Sequence, residues 1–75
     1  MQIYRNLGGN SNVAGFEIGH DYIVVQFKDR SSYLYTYSST GVHEIERMKI
    51  LAHQGRGLNS YISRIIRKRY ARKLA

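Results

Sequence analysis

A chain of 75 residues has room for one domain, residues 1–75, and a domain of that size buries only about 60% of its unfolded surface, so its hydrophobic core is thin. Cysteine is absent, which excludes disulfides and thiolate metal sites and makes a reduced cytoplasm the expected setting; no apolar run approaches the roughly 20 residues of a membrane span, and Met1 to Asn10 lacks the basic start and apolar centre of a signal peptide. The net charge of +7 is confined to one end: Arg56, Arg64, Arg67, Lys68, Arg69, Arg72 and Lys73 have no Asp or Glu among them, whereas the basic and acidic residues before Arg56 balance in number.

Gln2 to Arg5 can form a short strand, but Asn6 to Asn12 has the composition of a loop, so residues 1–12 are expected to be a flexible start. Apolar residues then return at spacing two through Ala14, Phe16 and Ile18, and again, after the turn Gly19-His20-Asp21, through Ile23, Val25 and Phe27. Lys28 to Ser31 breaks this pattern, and Ser32 to Tyr37 resumes it with Tyr33, Tyr35 and Tyr37 on one face and Leu34 and Thr36 on the other. Connections this short cannot carry a parallel crossover, so the three strands form an antiparallel meander.

Beyond Ser38 and Ser39 the period changes to that of a helix. Thr40 or Gly41 can cap it, Val42, Ile45, Met48 and Ala52 share one stripe, and Gly55 suits the left-handed residue that ends it. Asn59 or Ser60 can cap a second helix whose apolar stripe is Leu58, Ile62, Ile65 and Ile66, with Arg64, Arg67, Lys68 and Arg72 clustered on the other side. In a continued helix Arg69 and Lys73 would project on the apolar side. The helix is therefore expected to run past the body of the domain as a basic rod, with residues 72–75 frayed. The expected fold is α+β: a three-stranded antiparallel meander packed against two helices, βββαα, in two layers.

From Ser11 to Tyr70 the order of features resembles the KTSC domain, a family named after a C-terminal extension of some lysyl-tRNA synthetases. The matching points are Ser11 near the first main strand, the turn Ile18-Gly19-His20-Asp21, Phe27 at a strand end, and the central Tyr33-Leu34-Tyr35. Gly55 closing one helix and Leu58-Asn59 opening another that contains Ile62 continue the match. The chain departs from the pattern at His20, where another aromatic residue is usual, at Asp29-Arg30, which replaces a Gly, and in lacking the Pro that commonly precedes the first helix. The resemblance implies the same small fold, a stand-alone bacterial or phage protein, and a role in RNA binding.

A cationic surface concentrates polyanions, so nucleic acid is the first partner to consider, with an acidic protein or an anionic membrane behind it; basic helix ends that serve solubility are the ordinary alternative. Arg56, Arg64, Arg67, Lys68 and Arg72 are the candidate phosphate contacts, Arg being suited to phosphate forks. Tyr33 and Tyr35 are the candidate stacking platform for unpaired bases. Cross-strand packing alone also selects Tyr there, and it is favoured because Leu34 and Thr36 offer little area for a core, so the face these rings occupy decides between the two. Gly55-Arg56-Gly57 could cradle a phosphate, although a reversal between helices requires such glycines anyway.

His43 and His53 lie about 15 Å apart along one helix and cannot share an ion, and no Cys completes a set, so no metal site is expected. No base oriented by a third group and no oxyanion site is visible either, so no catalytic residue or cofactor is expected. The expected function is non-enzymatic nucleic-acid binding, RNA before DNA. The alternative is a protein-interaction module, such as a phage or mobile-element accessory protein docking on a host enzyme.

Overall fold

The computed structural model describes Met1–Ala75. Its elements are β1 (Gln2–Ile3), β2 (Val13–Ile18), β3 (Tyr22–Phe27), β4 (Ser32–Thr36), α1 (Tyr37–Thr40), α2 (Val42–Gln54), α3 (Leu58–Tyr61) and β5 (Arg72–Lys73), with a π-helical turn over Ile62–Ile66 continuing α3. The class is α+β and the sheet is antiparallel, as the alternation of side chains predicts. It has five strands in the order β1-β2-β3-β4-β5, not three.

The three expected strands form the centre of this sheet. Phe16 pairs with Val25 and Ile18 with Ile23, while Ile23 also pairs with Tyr35 and Val25 with Tyr33, so these residues share one face. A bulge between Val13 and Gly15 shifts the parity of β2 by one residue. Val13, rather than Ala14, is consequently the fully buried residue at that end. Gly19 in the β2–β3 turn leaves room for the Tyr22 ring, which would have to move because a Cβ there would fall 2.0 Å from it. At the next turn Asp29 Oδ1 accepts from the Ser31 amide at 3.0 Å and from its hydroxyl at 2.6 Å, and Arg30 adopts φ 73° where a glycine would be unstrained. These two hydrogen bonds hold the Asp29 carboxyl below its ordinary pKa.

Helix α2 lays Ile45, Met48 and Ala52 on the shared sheet face, and Leu58, Ile62 and Ile66 complete the core. Val42 and Ile65, expected on the two stripes, are instead 51% and 52% exposed. Tyr37, expected on β4, begins α1. Thr36 caps that turn reciprocally with Ser39, and the Tyr37 hydroxyl donates to Glu46 Oε2 at 2.5 Å. That bond raises the Tyr37 pKa, while Lys49, with Tyr37, lowers that of Glu46. Helix α2 begins after Gly41, without a side-chain cap, and ends at Gly55, left-handed at φ 73° as expected.

Both chain ends differ from expectation, and each for a nameable reason. At the start, Tyr4 is buried and its hydroxyl accepts from the Leu58 amide at 3.3 Å, taking up one of the free N–H groups of α3. The Leu7 amide donates to Gly55 O at 2.8 Å, Arg5 Nη2 donates to His53 O, and β1 pairs with β2, so the opening is fastened to the body.

At the other end the basic rod does not exist. A longer helix would press Arg69 toward the core, and the chain instead leaves the helix at Arg67, whose amide bonds to Ile62 O at 2.5 Å. Arg69 then reaches α1: Thr40 Oγ1 donates to Arg69 O at 2.7 Å and Arg69 Nη2 donates to Thr40 O at 2.9 Å. Tyr70 folds back onto Tyr33, with ring centroids 4.7 Å apart. Arg72 and Lys73, expected to fray, pair as β5 with Leu34 and Tyr33, and the Ser32 amide and carbonyl bond with Ala75 O and the Leu74 amide.

Candidate functional site

Reversal of the chain at Arg67 creates a groove of about 740 Å³ between the β3–β4 turn end of the sheet and the last helical turns. Its aromatic wall is built by register. Val13 opposite Phe27, and Val25 opposite Tyr33, place Phe27 and Tyr33 on the helix-covered face near the end of the sheet, where α2 no longer covers them and Tyr70 arrives from the C-terminal segment. Phe27 meets Tyr33 edge-on at 5.8 Å, and Tyr70 lies edge-on to Tyr35 at 6.2 Å. Phe27, Tyr33 and Tyr70 are half-buried, each lining the groove. Tyr35, also at the groove, is only 2% exposed. Burial, followed by the neighbouring Tyr33 and Tyr70, pushes its hydroxyl pKa up to about 12. It is a floor for the other rings, not a stacking surface.

The rest of the groove wall is polar and cationic: Lys28 from the β3–β4 turn, Arg67 and Lys68 from the end of the helical stretch, and Asn12, Asn59 and Ser63. Lys73 comes from β5 and holds its Nζ 5.9 Å from the Tyr33 centroid. The chain forms two ion pairs, Lys49–Glu46 at 2.8 Å and Arg69–Glu44 at 3.6 Å, so Lys28, Arg67 and Lys68 are in no ion pair, while Lys73 acts through space on the Asp29 carboxylate. Asp29, the acidic residue on the rim, is engaged by Ser31.

Arg67 occupies this wall at a backbone geometry that side chains avoid. Its φ of 54° and ψ of −121° match the first central position of a type II′ turn, and the Arg69 amide closes that turn on Ile66 O at 3.1 Å. Glycine is the residue that adopts this geometry without strain; for others the cost is about 1–3 kcal/mol. Thus the turn that opens the groove holds, at a conformational cost, one of its cations.

Of the residues singled out in the sequence, Tyr33, Tyr35, Arg67 and Lys68 come together here. The other three do not. Arg64 lies beside Arg47 and Tyr61 over a separate shallow depression. Arg72 pairs with Leu34, whose side chain is on the sheet face away from the helices, so it is separated from the groove by the sheet. Arg56 borders a second, polar cavity of about 430 Å³ with Asn6, Asn10 and Ser11, where Gly55 and Gly57, both left-handed, serve the reversal between α2 and α3.

A continuous basic face of Arg64, Arg67, Lys68 and Arg72 therefore does not form, because a helix is needed to align them and the helix ends before Arg67. Sequence reasoning missed Phe27, Lys28, Asn12, Asn59, Ser63, Tyr70 and Lys73. Tyr70 carried the available signal: a large aromatic within a run of basic residues has reason to turn back to the body. Among His, Asp and Glu no cluster suited to a metal ion occurs, and no helix is long and apolar enough to cross a membrane. Comparisons with family models, curated proteins and solved structures find no match to this chain.

Proposed function

We propose that this chain is a non-enzymatic nucleic-acid-binding domain that takes single-stranded or looped RNA, in preference to DNA, along the groove between Tyr33 and Arg67. One observation carries the reading: half-exposed rings of Phe27, Tyr33 and Tyr70 line one groove with Lys28, Arg67 and Lys68, and none of those cations is in an ion pair. Unpaired bases stack on such rings while phosphates follow the cations, a combination that single-stranded nucleic acid satisfies and a rigid duplex does not. The resemblance to the KTSC domain, itself a proposal of kinship, points the same way. Its Ser11 supports the start of β2 by accepting from the Val13 amide at 3.0 Å, and its Asn59 lines the groove.

Four phosphates held by Lys28, Arg67, Lys68 and Lys73 predict a log–log salt slope of about −3 for single strands. Fluorescence-anisotropy titration of a labelled oligoribonucleotide at several salt concentrations measures it. An affinity that does not change with salt, or a protein partner retained from cell extract after nuclease digestion with no oligonucleotide binding, overturns the proposal.

A further inference from the structure

We infer that the groove is a pocket for one everted nucleotide, its base lodged against Tyr33 and Tyr70 with its edge toward Asn59 and Asn12, and its 5′-phosphate held by Arg67 and Lys68. This rests on the nucleic-acid reading and specifies it: the protein grips one nucleotide closely rather than tracking a backbone along a flat surface.

Three features of the groove support this. A volume of about 740 Å³ accommodates a nucleotide, whereas several stacked bases would need a longer platform. Ring packing also limits the platform. Tyr33 and Tyr70 lie 4.7 Å apart at an interplanar angle of 51°, and Phe27 meets Tyr33 at 76°, so the rings form a cluster rather than a row of parallel shelves. A cluster of this shape offers a base one wall, not a succession of them.

The polar lining fits the rest of the ligand. Asn59 and Asn12 each present a donor and an acceptor, the complement of a base edge, and Ser63 adds a hydroxyl. Asn59 is half-buried on α3, and none of the side-chain hydrogen bonds within the protein uses its amide group. Arg67 and Lys68 sit at the mouth, exposed and adjacent in sequence across the strained turn; Arg67 Nε donates to Arg64 O at 3.3 Å, which leaves its two terminal nitrogens for a ligand. A guanidinium fork beside an ammonium is the pairing that a phosphate dianion accepts. The occupied groove then closes the aromatic wall from water on one side while the sugar–phosphate chain leaves past the exposed cations.

The experiment titrates the intact protein, separately, with the four ribonucleoside 5′-monophosphates, ribose 5-phosphate and inorganic phosphate, following backbone and Asn side-chain amide resonances. At least one nucleotide should bind about tenfold more tightly than ribose 5-phosphate, since a stacked base contributes at that scale, with shifts at Tyr33, Asn59 and Tyr70. Asn59→Ala should change the ranking of the four nucleotides, and Lys68→Ala should weaken all four alike; Lys68 is exposed and its loss leaves the core intact. Oligoribonucleotide binding without measurable nucleotide binding, or nucleotides no better than ribose 5-phosphate, overturns the pocket and leaves the broader reading standing. If neither oligonucleotide nor nucleotide binds, both fall.

Discussion

Helix α2 and the helical stretch from Leu58 each end on a residue with positive φ, and they end differently. Helix α2 stops at Gly55, φ 73°, whose amide bonds back to Leu51 O and Ala52 O; the helical stretch from Leu58 stops at Arg67, φ 54°, whose amide reaches Ile62 O across a wider turn. The first uses the residue that adopts the geometry freely, while the second forces it on a β-carbon-bearing cation at the mouth of a groove. Gly55 is packed on one side by Arg5, and its terminus belongs to the scaffold. Arg67 is exposed, and its terminus gives up stability to place a charge. Strain kept at the mouth of the groove supports the proposed role of Arg67 in holding a ligand.

Exchanging the logic of the two ends tests this contrast. Gly55→Ala should lower stability by more than about 1 kcal/mol, because alanine resists positive φ and its Cβ would come 2.9 Å from the Arg5 Cβ. Urea unfolding followed by circular dichroism measures the loss, and an unchanged midpoint would show that the Gly55 end is not the structural stop described. Arg67→Gly should act in the opposite direction, raising stability by about 1 kcal/mol as the turn relaxes, while reducing the salt slope of oligonucleotide binding by about 1. A variant that is both less stable and equally competent in binding would reverse the assignment of the two ends.

The same contrast explains what could be read from the residues alone. The centre of the sheet and α2 were legible because alternation, the turn Gly19-His20-Asp21, the 3.6-residue stripe and Gly55 all agree on one outcome. Nothing between Leu58 and Ala75 breaks a helix: there is no Pro and, after Gly57, no Gly. A type II′ turn written with Arg has no local signature, so the reversal, β5 and the regrouping of cations were invisible. Long-range terms decide them, namely Tyr70 on Tyr33 and Thr40 on Arg69. The groove was thus half legible. Tyr33 and Tyr35 were visible as a strand face and Arg67 and Lys68 as charge, but their meeting depends on a turn that propensity opposes.

Alkaline unfolding probes the floor that both halves of the molecule share. Tyr35 has a folded-state pKa of about 12, above its ordinary 10.0. Its protonated form therefore favours the fold fully below about pH 10, and that contribution is lost as pH rises through 12. Tyr35→Phe removes the ionisation and should shift the alkaline midpoint upward in a circular-dichroism titration. A midpoint unchanged by the substitution would mean that burial beneath Tyr33 and Tyr70 does not hold Tyr35 protonated.

The smallest effect separates two contacts that hold the same arginine. Arg69 pairs with Glu44 at 3.6 Å, both side chains partly exposed, and also exchanges hydrogen bonds with the Thr40 backbone and hydroxyl. A part-exposed ion pair is screened by water and salt and contributes less than about 1 kcal/mol, whereas the Thr40 hydroxyl is sequestered, on a residue only 5% exposed. Glu44→Gln should change stability by no more than about 0.5 kcal/mol, with the difference vanishing at high salt. If Glu44→Gln instead unpaired β5, seen as lost exchange protection at Ala71 and Leu74, charge rather than the Thr40 clamp would be what turns the C-terminal segment back toward the groove.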